Sequence, residues 1–116
     1  MTSSKIFGGS ISDKNTVGIL KQHDNNSGSY YIQEINNYNE SEHNEGFNIV
    51  KLDDFSFNID VDFIKIDTEG SELFVLKGAY NTILKYKPLI QIETNECSNK
   101  FFNYDKQEIF DFMQSL

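Results

Sequence analysis

Apolar residues along this chain fall into short runs whose period changes near residue 60. Residues 5–12 and 16–21 are β-compatible runs separated by Ser-Asp-Lys-Asn, whose side chains favour a turn. Residues 22–28 form a second polar turn. Residues 29–35, with Tyr30, Tyr31, Ile32 and Ile35, suit a return strand, so a β-hairpin is predicted over 16–35. The Asn-, Glu-, Ser- and His-rich stretch 36–46 cannot bury apolar surface and reads as a surface loop. Residues 47–52 place Phe47, Ile49 and Val50 among polar neighbours, another short strand, with Asp53 and Asp54 able to cap a helical turn after it.

Beyond residue 60 the signal is stronger. Residues 61–66 make an apolar strand, 71–86 carry helical periodicity, and 89–92 are apolar and β-branched again, which predicts a βαβ unit. The helix puts Leu73, Leu76, Tyr80, Ile83 and Leu84 on one stripe. Glu69 and Glu72 lie near its positive end, Lys85 and Lys87 near its negative end. Pro88 cannot extend that helix but can open the next strand. A right-handed crossover makes the two strands parallel neighbours in an α/β sheet. Residues 105–116, with Ile109, Phe110, Phe112 and Met113, predict a terminal helix covering one sheet face. The chain thus divides into a strand and turn (1–15), a β insertion and loop (16–60), a βαβ unit (61–96) and a C-terminal helix (97–116).

At 116 residues the chain is one domain at most and buries roughly two-thirds of its unfolded surface on folding. A net charge of -8 disfavours non-specific contact with nucleic acid or anionic membrane. Residues 1–5 are polar and no apolar run reaches spanning length, so neither a signal peptide nor a transmembrane helix is expected, and a soluble, cytoplasmic chain is. Cys97 is the single cysteine, which excludes an internal disulfide. His23 and His43 sit among polar residues and read as solvated, and the acceptor-like triplets at Asn25 and Asn39 are expected by chance in so Asn-rich a chain.

Ligands of open parallel sheets bind outside the carboxyl ends of the strands, and both strands of the βαβ unit end in polar residues. The first runs into Asp67-Thr68-Glu69-Gly70, the second into Glu93-Thr94-Asn95-Glu96. Asp67, Glu69, Glu93 and Asn95 therefore converge on one rim if the strands are neighbours. Lys65 interrupts an apolar strand and would need a carboxylate such as Glu93 or Asp67 if buried. Gly70 permits close backbone approach at the strand-to-helix turn, and Gly78 inside the helix suggests close packing on the sheet. Spacing alone is equally met by a structural reading. In that reading Glu69 and Glu72 favour the helix start, Asp67 caps it and Glu93 faces water.

The segment from Val61 to Ala79, containing Lys65-Ile-Asp-Thr-Glu-Gly-Ser-Glu72, followed by Pro88-Leu-Ile-Gln-Ile-Glu93, closely resembles the C-terminal signature of FkbM-type methyltransferases. Val50-Lys-Leu-Asp-Asp-Phe55 is similar to that family's Leu-Asp-Asp element. Gly9-Ser-Ile-Ser-Asp13 resembles the stretch after its third strand, ahead of a small β insertion. This resemblance implies an α/β fold: the C-terminal portion of a class I Rossmann-like methyltransferase sheet with a small β-hairpin insertion. It further implies transfer of a methyl group from S-adenosyl-L-methionine to an oxygen of a sugar or other small metabolite. Asp13 would then lie on the adenine side of the cofactor, with Asp67, Glu69 and Glu93 on the acceptor side. The family's glycine-rich first turn and ribose-binding acid have no counterpart here, and Gly8-Gly9 is not that turn. The cofactor-binding N-terminal half is therefore expected from a further chain, or the site to be completed in a homo-oligomer. Two rival readings stand beside it. One is a catalytically inactive binding or assembly module that pairs through an exposed sheet edge. The other uses Asp67, Glu69 and Glu93 as Mg²⁺ ligands in a phosphate-cleaving enzyme.

Overall fold

The computed structural model describes residues 6–22, 30–35, 46–94 and 102–116. The polar turn and loop, His23, His43, Asn95 and Cys97 lie outside the described residues. In chain order the elements are β1 (Ser10–Ile11), β2 (Thr16–Gln22), β3 (Tyr30–Glu34), β4 (Phe47–Val50), a 3₁₀ turn (Leu52–Asp54), β5 (Phe63–Ile66), α1 (Glu72–Gly78), α2 (Tyr80–Tyr86), β6 (Leu89–Ile92) and α3 (Gln107–Ser115). This is an α/β chain.

The strands form two sheets, where a single one was expected. β2 and β3 pair antiparallel from Gly18↔Glu34 to Gln22↔Tyr30, which is the predicted hairpin. β4 joins β2 antiparallel on the other side and β1 joins β4 in parallel, giving the order β1-β4-β2-β3. β5 and β6 form a separate parallel pair in the register Phe63↔Leu89 to Ile66↔Ile92, as the crossover argument requires. Among the described residues β1 and β5 each have a hydrogen-bonded strand on one edge only.

The helix expected over 71–86 is two helices, separated at Ala79 with φ -107° and ψ 10°. The break falls beside Gly78, whose missing side chain lets the backbone of Ser12 and Asp13 abut the helix. A Cβ there would overlap the Ser12 carbonyl oxygen and come within 3.2 Å of the Asp13 Cα. Gly78 thus packs on the turn after β1, not on the sheet face. With the helical phase reset, Leu73, Leu76 and Ile83 of the predicted stripe are buried, whereas Tyr80 and Leu84 are exposed. α2 ends at Lys87, which adopts the left-handed conformation ahead of Pro88.

Asp53 does not cap its own 3₁₀ turn. Its Oδ2 accepts the Asn81 N–H at 3.0 Å, and its Oδ1 accepts the Thr82 N–H at 2.9 Å and the Thr82 hydroxyl at 2.8 Å. The carboxylate therefore satisfies the start of α2 from a distant turn, a contact of the kind worth about 1 kcal/mol.

One core joins α1, α2, β5 and α3 through Ile66, Leu73, Val75, Leu76, Ala79, Ile83, Tyr104 and Ile109, with Ile64, Ile90 and Ile92 packed against it. Alternation along β5 and β6 leaves the opposite face open: Phe63 and Leu89 are 51% and 70% exposed, and Lys65 and Gln91 are exposed beside them. Lys65 consequently needs no buried partner and makes no ion pair with Asp67 or Glu93. On α3, Ile109 is buried but Phe110 faces outward.

Gly78→Ala sets two effects against each other. Helix propensity favours alanine by about 1 kcal/mol, but the new methyl group must displace backbone, an overpacking cost of about 1–3 kcal/mol. The variant is expected to unfold at lower urea concentration than the parent, and an unchanged or higher midpoint would contradict the close approach.

Candidate functional site

Two groups of residues meet at the turn that leads from β5 into α1. The first stands at the carboxyl ends of the parallel pair. The Glu93 N–H donates to the Ile66 carbonyl at 3.0 Å, so Asp67 and Glu93 follow directly on paired positions and sit side by side. Both are exposed and share the open face with Lys65 and Gln91. Glu69 comes two residues later, half-buried, in a left-handed conformation (φ 56°), followed by Gly70 at φ 121°. Two consecutive positive φ values reverse the chain sharply, and a non-glycine residue there costs roughly 1–2 kcal/mol unless the surroundings hold it.

Glu72 holds it. Although it opens α1, Glu72 is only 3% exposed. Its Oε1 accepts the Thr68 N–H at 3.3 Å and the Gly70 N–H at 3.2 Å, the two amides that flank Glu69. The Tyr104 hydroxyl closes the arrangement, donating to the Gly70 carbonyl at 2.7 Å with Glu72 Oε2 as a second acceptor at 3.2 Å. The Tyr104 ring meets Phe74 edge-on at 5.7 Å. Burial, reinforced by the neighbouring Glu72 carboxylate, pushes the Tyr104 hydroxyl up to about 12 from its ordinary 10.0, so it remains a donor throughout the neutral range. In the same turn, Thr68 Oγ1 is buried without a hydrogen-bond partner among the described residues.

The second group lines a cavity of about 560 Å³ on the other side of the turn, within the size range of small-molecule sites. Its walls include Ile11, Ile32 and Ile49 from the four-stranded sheet, Ser71 and Phe74 from the start of α1, and Asp13 after β1. The Ser12 N–H donates to the Val50 carbonyl at 2.8 Å and extends the β1–β4 ladder up to Asp13. Lys14 and Glu34 form an ion pair of 2.8 Å at the rim, and the bonded Glu34 raises the Lys14 pKa. Asp67, Glu69 and Glu93 do not line this cavity. Ser71 does, so Asp13 and the acidic cluster are linked through residues 67–71 and not through a shared pocket. Among the described residues no three His, Cys, Asp or Glu side chains are placed to hold a metal ion, so the three acids do not form the ligand set that the Mg²⁺ reading requires. No helix among them is long and apolar enough to cross a membrane.

Residues 7–116 match the family described as the methyltransferase FkbM domain. The chain belongs to that family. No curated protein and no solved structure matches it. In this FkbM chain the signature segment is the structural junction just described: Asp67 follows the end of β5, the turn supplies Glu69, and the second glutamate of Glu69-Gly-Ser-Glu72 is the buried clamp. Sequence reasoning credited Glu72 only with a favourable position at a helix start. It did not reach Tyr104, because nothing in the local sequence marks a contact made 32 residues away. The spacing of an acid three positions after Glu69 was a usable signal for Glu72.

Because Tyr104 binds its proton more tightly folded than unfolded, the stability it lends is complete below pH 10 and is lost as the pH rises towards about 12. The urea midpoint should fall across that window, and less steeply in Tyr104→Phe. Equal slopes in the two proteins would contradict the buried hydroxyl.

Proposed function

We propose that this FkbM chain contributes the acceptor side and the adenine side of an S-adenosyl-L-methionine-dependent O-methyltransferase acting on a sugar or another small hydroxylated metabolite. The observation that carries the reading is the turn at 67–71, which sets the exposed Asp67 and the half-buried Glu69 on one side and ends at Ser71 in the wall of a cavity lined by Asp13 and Glu34 on the other. When bound, the cofactor supplies an activated methyl group. The residues present fit it in part: Ile11, Ile49 and Phe74 offer apolar walls for a flat purine, and Asp13 offers an acceptor for its exocyclic amine or a nearby hydroxyl. Asp13, Asp67 and Glu93 all follow the carboxyl ends of strands in parallel pairs, which supports the same assignment.

In this reading Asp67 and Glu69 receive the acceptor hydroxyl. One carboxylate oxygen takes the hydroxyl proton as the oxygen becomes nucleophilic, and the other carboxylate, with Glu93, orients the hydroxyl by hydrogen bonding. Holding that hydroxyl in line with the methyl group accounts for a large part of the expected acceleration.

The ribose and the methionine end of the cofactor would be held by further polypeptide. The one-sided coverage of β5 and β6 supports such a partner, because parallel strands are ordinarily buried on both faces and Phe63 and Leu89 here are not. The same open face supports the second reading, an assembly module without catalysis.

Calorimetric titration with S-adenosylhomocysteine separates the two. Micromolar binding, weakened about tenfold or more in Asp13→Ala, is the expected result. A folded chain that shows no binding leaves the assembly reading standing.

A further inference from the structure

Glu72 spends a buried carboxylate on a turn, where a serine or threonine side chain would be enough to cap a helix. Its Oε1 is aimed backwards, at the Thr68 and Gly70 amides on either side of Glu69, so its effect is to fix one residue in a conformation that residue would not adopt alone. Tyr104 arrives from the far end of the chain and binds both the last carbonyl of that turn and the clamp itself. Neither side chain faces the cavity or the acidic rim, and neither can touch a substrate. A carboxylate and a phenol buried together would cost stability without these partners, since a buried polar group left without a hydrogen bond loses its solvation and gains nothing in return. Three of the pair's hydrogen bonds fall on the backbone of Thr68 and Gly70, the residues that flank Glu69.

We propose that Glu72 and Tyr104 are positioning residues for the methyl-transfer site, acting through the Thr68 and Gly70 amides and the Gly70 carbonyl to hold Glu69 left-handed and present its carboxylate beside Asp67. The assignment of a reaction to Asp67 and Glu69 rests on the proposed function; the clamp itself does not.

Amide spectra of the ¹⁵N-labelled chain test both parts, in Glu72→Gln, Glu72→Ala and Tyr104→Phe, each recorded with and without S-adenosylhomocysteine. In Glu72→Gln, which keeps the shape with a weaker acceptor, the Thr68 and Gly70 amide protons should move upfield while the resonances of Leu76 and Ile83 stay in place. Glu72→Ala, if it folds, should move them further. Tyr104→Phe should shift the Ser71 nitrogen, whose peptide carbonyl loses its donor. The Glu69 resonance of the parent should also respond to S-adenosylhomocysteine, and that response should be lost in Glu72→Gln. A merely structural role lowers the unfolding midpoint and leaves the turn resonances of the folded variants where they were, which overturns the proposal. So does an unaltered Glu69 response in Glu72→Gln. A parent that ignores S-adenosylhomocysteine sinks the methyl-transfer reading instead, and the turn shifts then still decide whether Glu72 sets the geometry of Glu69.

Discussion

Glu72 must bury a carboxylate, and everything close to it is arranged so that this group has donors. The chain leaves β5, turns back through two residues with positive φ, and returns two amides to a single oxygen of the side chain that begins α1. Removing the acceptor would leave those amides without it and loosen the left-handed Glu69, with only the Tyr104 bond to the Gly70 carbonyl still bracing the turn. Because α1 starts at that point, the placement of Leu73 and Leu76 in the core follows from the same turn, and the core in turn encloses Tyr104, which ties the C-terminal segment back to Gly70.

The two halves of the proposed site are separated by this junction. Asp67 and Glu93 inherit their positions from the β5–β6 register, while Asp13 inherits its position from the β1–β4 ladder and from contact with Gly78 at the other end of α1. A seven-residue helix thus spans the distance between the acid cluster and the backbone of Asp13. Rigid spacing between a cofactor pocket and a proton-accepting group is what alignment of a hydroxyl with a methyl donor demands.

Elements with a strong period were legible. The βαβ unit, its parallel pairing and the 16–35 hairpin follow from spacing, proline and turn residues, and the signature around Asp67-Thr-Glu-Gly identified the family. What was not legible depended on contacts distant in sequence. The Ala79 break lies next to the approach of Ser12 and Asp13 at Gly78, and once the helical phase changes there, Tyr80 and Leu84 leave the stripe. Asp53 looked like a local cap, yet its acceptors serve a helix 28 residues later. Lys65 looked costly only on the assumption that both faces of the strand are covered. For the site, strand ends pointed to Asp67 and Glu93, but no periodicity marks Tyr104 as the donor that closes the turn.

Native-state hydrogen exchange at the Gly70 and Thr68 amides tests the central constraint most directly. Both lie outside regular helix or strand hydrogen bonding, so an unclamped turn would exchange at rates typical of an open loop. The clamp predicts protection approaching that of Leu76 in the core. Loop-like exchange at Gly70 alongside a protected Leu76 would contradict the claim that Glu72 holds the turn on which the site is built.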